Sequence, residues 1–267
     1  MSRITGAIRE MQTIEESASR DQWVNHIHPL VKFCLTMLYL ICVISCGRDD
    51  LSRVLGLALY PFLMFELSEL PFGEALYRLR IVLPLVCIVG IFNPLLDRRP
   101  GAEIFGFTLT MGLLSMLTLM IKGILTVLSS YLLVASTPVD DLCAAMRMIH
   151  IPRMIVVEFL LIWRYISLFM SEAEKTGEAY LLRAPGQKGI AMKYWGPLLG
   201  SMLLRSMDRA SEVYEAMCLR GFSGDFPAGR IRKAAGRDFV YFVSFAGGIL
   251  FLRIFPVLVL VGSLFAG

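Results

Sequence analysis

The chain has 267 residues, 56% of them apolar and 18% charged, with a formal net charge of +4 and a mean hydropathy of +0.65. A soluble domain carries about 25% charge, and here the apolar excess is gathered into long runs, which excludes an ordinary soluble globule and points to an integral membrane protein. The basic residues are not interleaved with stacking aromatics, which argues against nucleic-acid binding.

Residues 1–28 are polar and mixed in charge, without the apolar core of a secretory signal. The first span, starting near Leu30, is therefore expected to act as an uncleaved insertion signal. Spans are expected over 30–47, 51–67 and 81–96, the last followed by a turn at Asp97-Arg98-Arg99-Pro100-Gly101. Residues 104–135 exceed the roughly 20 residues that a bilayer needs, so one long tilted helix or a broken one is expected. Lys122 within that run is expected to snorkel to an interface.

Thr137 is expected to cap a new helix, with Pro138 in its first turn and Asp140 and Asp141 at its positive end. Ile151-Pro152 breaks that helix. Residues 154–183 then read as one long helix, apolar in its first half apart from Glu158 and Arg164, charged in its second. Such a helix is expected to run from the interface into water; 154–170 is too short and too charged for lipid on all sides. Pro185 to Gly189 stops it. Pro197 is expected to open a helix running to about Leu219, with Leu199, Leu203, Met207, Ala210, Tyr214 and Met217 on one face. A last span is expected over 239–265, with Arg253 and Pro256 inside.

The fold class is therefore all-α: a polytopic membrane protein with about five transmembrane helices and a cytoplasmic helical coupling module. The divisions fall at 1–135 for the N-terminal polar segment and four spans, 136–237 for the coupling helices, and 238–267 for the final span. Arg220, Arg230, Arg232, Lys233 and Arg237 put the module on the cytoplasmic side. The N-terminus is then inside and the C-terminus outside. Arg98 and Arg99 fall on the outer side, counter to the positive-inside rule.

A search for chemistry returns little. No G-x-x-x-x-G-K-[ST] phosphate loop occurs, and Pro185-Gly186-Gln187-Lys188-Gly189 lacks both its spacing and its hydroxyl. No G-x-S-x-G or H-E-x-x-H is present; Glu15 and Glu16 precede every span and do not make a membrane protease. His26 and His28 supply two ligands with no third, so no metal site is expected, and His150 reads as a helix-end residue. The six cysteines have no metal spacing and read as structural thiols rather than a disulfide framework. Gly196 and Gly200 have helix-packing spacing.

Two segments stand out. Ala179-Tyr-Leu-Leu-Arg183-Ala184 and Ala216-Met-Cys-Leu-Arg220-Gly221 lie about 37 residues apart. Each closes a helical run, and each puts an arginine one turn after an alanine, so the small residue and the guanidinium share a face. Each arginine is expected to dock into an acidic groove on another protein, where its planar fork makes bidentate bonds to carboxylates.

The segment Leu203-Leu-Arg-Ser-Met-Asp-Arg-Ala210, followed by Val213-Tyr-Glu-Ala-Met-Cys-Leu-Arg-Gly-Phe222, resembles the transmembrane (T) subunit of energy-coupling factor importers, most closely the cobalt-transport CbiQ type. His28-Pro-Leu-Val-Lys32, Thr137-Pro138, Ile151-Pro152 and Trp163-Arg-Tyr165 add to the resemblance, which covers most of the chain. The family carries two Ala-Arg-Gly tips; here they read Leu182-Arg183-Ala184 and Leu219-Arg220-Gly221. The resemblance implies a non-catalytic subunit of a multi-pass prokaryotic inner (cytoplasmic) membrane importer. Two cytoplasmic ATPase subunits would bind ATP, with no cofactor in this chain, and would grip Ala179, Arg183, Ala184, Ala216, Arg220 and Gly221. Leu199, Leu203, Met207 and Tyr214 would contact a membrane substrate-binding subunit. Cobalt or nickel is the implied cargo. A vitamin importer, a membrane enzyme and a scaffold without transport remain as alternatives.

Overall fold

The computed structural model describes residues 3–18, 24–47, 50–68, 72–96, 100–104, 107–184, 186, 189–224 and 236–255. Arg98, Arg99, the Pro185, Gln187 and Lys188 of the helix stop, the basic residues Arg230, Arg232 and Lys233, and Pro256 with the rest of the expected last span lie outside them. The described residues form ten α-helices, one 3-10 turn and one short hairpin. This is the expected all-α membrane class.

Two compact units divide the chain. One comprises Ser17–Pro138 and Arg232–Gly267, the other Met1–Glu16 and Val139–Ile231.

In the first unit, a 3-10 turn over Val24–His26 leads into α2, Pro29–Ile44; α1 is Arg3–Ala18, most of which belongs to the other unit. His28 caps α2: its Nδ1 accepts from the Leu30 amide at 3.2 Å, and Pro29 stands where a helix has no use for an amide donor. The expected second span is two helices, α3 (Leu51–Leu57) and α4 (Leu59–Ser68). Pro61 explains what holds this joint. It has no amide for the Leu57 carbonyl one turn back, and the buried Tyr39 hydroxyl donates to that carbonyl at 3.0 Å instead. In hydrocarbon such a replacement is obligatory.

Helix α5 spans Phe72–Leu96, starting nine residues before the expected third span. The hairpin of β1 (Pro100–Ile104) and β2 (Phe107–Thr110) follows. The expected run from 104 is therefore shorter: α6 is Met111–Ser136. Thr137 is the C-cap of α6 rather than the N-cap of the next helix. Helix α10 is Gly236–Ile254.

Aromatic packing joins these helices. Tyr39 of α2 lies 4.6 Å from Tyr60 of α4, ring centre to ring centre. Phe245 of α10 meets Tyr60 edge-on. Phe65 stacks on Tyr131 of α6, and Arg78 of α5 sits 4.5 Å over the Tyr131 ring, a cation–π contact.

Two cations inside apolar helices share one task. Arg253 of α10 donates to the Cys42 and Ser45 carbonyls, at 3.1 Å each. Lys122 of α6 donates to the Cys46 carbonyl at 2.6 Å and the Gly47 carbonyl at 3.3 Å. Both therefore satisfy the orphan acceptors and the negative end of α2. Lys122 does more than snorkel: it is pinned to a helix terminus.

Among the described residues, the α3–α4 run Leu51–Ser68, α6 and the helix Arg153–Arg183 are long and apolar enough to cross a membrane; Pro29–Ile44 and Val82–Pro94 are shorter apolar helices. The expectation that 154–170 is too short and too charged for lipid is thus corrected on length and composition. The helix is continuous, and its apolar half carries few charges.

Candidate functional site

The second unit contains the two arginine tips. Helix α7, Val139–Met148, packs on α8, Arg153–Arg183, and α9 is Met192–Leu219. Helix α9 begins five residues before the expected start, so Pro197 lies inside it. The Lys193 carbonyl, which Pro197 cannot serve, belongs to an exposed residue.

Arg183 is the last residue of α8 and Arg220 the C-cap of α9. Both side chains are exposed, as are Ala179 and Ala216. The two tips are built differently. At Arg220 the helix closes with two back-bonds, from the Phe222 amide to the Met217 carbonyl and from the Gly221 amide to the Cys218 carbonyl, both 3.0 Å. Gly221 sits at φ +83°, a left-handed position that glycine adopts without strain and that ends helices in this way. The chain is thus turned sharply off the helix immediately after the guanidinium. At Arg183, Ala184 has φ −124° and bonds back only to the Tyr180 carbonyl. The left-handed residue comes later, at Gly186 with φ +96°.

The same closure recurs at α7, where it was not legible from the sequence. His150 has φ 65°, its amide bonds to Arg147, and the Ile151 amide reaches the Met146 carbonyl. A histidine occupies the place that glycine fills at Gly221. This agrees with its reading as a helix-end residue.

Contacts between α8 and α9 set their direction. Glu172 pairs with Arg205 at 2.7 Å, and Tyr180 lies against Tyr194 at 5.6 Å. Numbers rise along α8 as they fall along α9, so the helices run antiparallel. Arg183 lies eleven residues beyond the Glu172–Arg205 pair in one direction and Arg220 fifteen in the other. At 1.5 Å per residue the tips stand roughly 40 Å apart along the pair.

The pair is lightly packed. Helix α9 buries none of its residues and α8 buries Val156 alone. Leu199, Leu203, Met207 and Tyr214 are all more than half exposed. An apolar cavity of about 330 Å³ separates the helices near Leu161, Tyr165 and Tyr214. The leucine preceding each arginine is nearly bare: Leu182 is 83% and Leu219 90% exposed.

Neither titration nor metal chemistry is prominent here. Among the described residues no group of three metal-ligating side chains occurs; His28 is a buried helix cap while His26 is exposed. Burial, with Asp140 nearby, pushes the Cys143 thiol up to about 11.

The cobalt transport protein family CbiQ matches residues 20–229. The energy-coupling factor transporter transmembrane protein EcfT of Leuconostoc gelidum subsp. gasicomitatum is 24% identical, covering 89% of this chain and 93% of that protein. The nickel permease LarQ of Lactiplantibacillus plantarum is 29% identical over 39% of this chain, an alignment that spans 38% of the permease. The cobalt transport protein CbiQ of Salmonella typhimurium is 29% identical over 38% of this chain and 46% of its own length.

Proposed function

The chain belongs to the CbiQ cobalt transport protein family, and from that premise we propose that it is the multi-pass transmembrane coupling subunit of an energy-coupling factor importer in a prokaryotic inner membrane. Its work is mechanical. Two cytoplasmic ATPase subunits bind and hydrolyse ATP; this chain carries their motion to a membrane subunit that binds the substrate. The cargo is a divalent cobalt or nickel ion, a reading supported by the names of the family and of the relatives. A vitamin cargo remains the runner-up on the likeness to EcfT.

The observation that carries the reading is the pair of exposed arginines at the two ends of one antiparallel helix pair. Each is an exposed cation at a helix C-terminus, with a bare leucine beside it. A carboxylate in a partner groove can take the guanidinium bidentately, while the leucine fills an adjoining apolar recess. Desolvated anchors of this sort carry most of an interface's energy.

The charges on α9 support one orientation. Helix α9 carries Arg205, Asp208, Arg209, Glu212 and Glu215 on an exposed surface, so lipid cannot surround it. Helix α8 is long and apolar enough to cross a membrane, but its pairing with the charged α9 through Glu172 and Arg205 supports a reading in which the pair lies along the membrane surface. Both arginines then reach the same compartment, roughly 40 Å apart, one under each ATPase. Closure of the ATPase pair pulls the tips together. Because α8 and α9 bury so little against each other, they can pivot about the Glu172–Arg205 contact with little lost packing. The exposed face of Leu199, Leu203, Met207 and Tyr214 passes that pivot to the substrate-binding subunit.

The test is uptake of labelled Co²⁺ and Ni²⁺ by cells expressing the complete importer. Arg220→Glu should abolish ATP-dependent uptake while the protein inserts at its normal level. Normal uptake by that variant would overturn the docking role and leave the scaffold alternative in its place.

A further inference from the structure

An apolar groove of about 610 Å³ opens on the first unit, between the α3–α4 run, α6 and Leu252 of α10. Its lining is apolar throughout, and Leu55, Leu59 and Phe62 at its mouth are half exposed. The groove follows α3–α4 from Leu55 to Phe65, about 15 Å at the helical rise. That is one leaflet of a hydrocarbon core some 30 Å thick.

Two cations stand beside one end of the groove, outside its lining. Ile121 and Leu252 line it, and the next residue of each helix is Lys122 or Arg253. These are the two cations that cap α2. Among the described residues neither has a carboxylate partner, whereas nearby Arg53 is neutralised by Asp50 at 2.9 Å. A helix C-terminus supplies only about half a negative charge, so two cations leave the site net positive. Their donors are not exhausted either. Lys122 uses its ammonium on two carbonyls, and Arg253 spends its two terminal nitrogens on the end of α2. Among the described residues, one Lys122 N–H and the Arg253 Nε–H remain without an acceptor.

We propose that this groove holds one anionic diacyl phospholipid, with an acyl chain along Leu55, Leu59 and Ile124 and its phosphate against Lys122 and Arg253. Three features favour a lipid over a second protein helix. The groove is one leaflet long, its wall is apolar throughout, and the two cations stand beside one end of it only. The proposal is independent of the transport reading.

Native mass spectrometry of the full-length, delipidated protein tests it, with phosphatidylglycerol and phosphatidylcholine added in parallel. Phosphatidylglycerol should bind one per chain and resist collisional removal; phosphatidylcholine should not. Lys122→Gln should weaken phosphatidylglycerol binding about fivefold, the share of one cation at a membrane surface. Gly56→Phe keeps both cations and puts a ring on a residue that lines the groove, where a Cβ meets only Leu252, at 4.0 Å; it should abolish the one-per-chain adduct. Equal retention of the two lipids, or unchanged phosphatidylglycerol binding by Gly56→Phe, would overturn the proposal and leave the groove to a protein partner.

Discussion

Gly221→Ala isolates the backbone of the Arg220 tip from everything else. Gly221 has φ +83°, and a methyl group built on it meets no atom within 4 Å. No clash adds to the cost, so the whole effect is the strain of an L-residue in the left-handed region, about 1–2 kcal/mol. The two back-bonds from Gly221 and Phe222 should then open roughly five to thirty times more often. Hydrogen exchange read at the Gly221 and Phe222 amides is the direct assay. His150→Gly is the matched reverse, because the same bond pattern there holds a histidine at φ 65°. Relief of strain less the added chain entropy of glycine leaves a gain of about 0.5–1 kcal/mol, and exchange at Ile151 should slow. Unchanged exchange at Gly221 and Phe222 in Gly221→Ala would refute the reasoning.

Other outcomes follow from single contacts. Tyr39→Phe removes the hydroxyl that donates to the Leu57 carbonyl, and should lower thermal or denaturant stability in detergent by about 1–3 kcal/mol. A double-mutant cycle on Glu172 and Arg205 should return less than about 1 kcal/mol, because both partners are exposed; a larger coupling would mean the pair is a rigid clamp and not a pivot. Maleimide should label the exposed Cys218 readily. It should label Cys143 far more slowly, about a hundredfold below an ordinary thiol at pH 8, because its proton is held to about 11 against the usual 9.0. Raising the pH towards 11 should restore Cys143 reactivity, since the thiolate gains as pH approaches the raised value.

What the sequence revealed was whatever depends on local spacing. The helical period across Leu199, Leu203, Met207 and Tyr214, the stop at Gly221 and the Ala-to-Arg register at both tips are properties of a few consecutive turns. What it hid depends on neighbours far along the chain. Nothing near Leu57 announces that Tyr39 will replace the bond Pro61 cannot make. Nothing in the apolar run around Lys122 or Arg253 says that both will converge on the end of α2. Proline favours a first turn, which points to a start of α9 at Pro197, yet on this exposed helix Pro197 sits further in. Helix α8 was legible as one helix over 154–183, but the charges of its second half hid that the helix is long and apolar enough to cross a membrane. The antiparallel α8–α9 register, which separates the two tips, is a tertiary fact with no signature in either segment.

The central claim is that each arginine holds one ATPase, and stoichiometry measures it. The complex should be purified with its ATPases and weighed intact by native mass spectrometry, for the wild type, Arg183→Glu, Arg220→Glu and the double variant. The account predicts two ATPase subunits on the wild type, one on each single variant when the ATPases are kept nucleotide-free, and none on the double variant. Two ATPases retained by the double variant would contradict it.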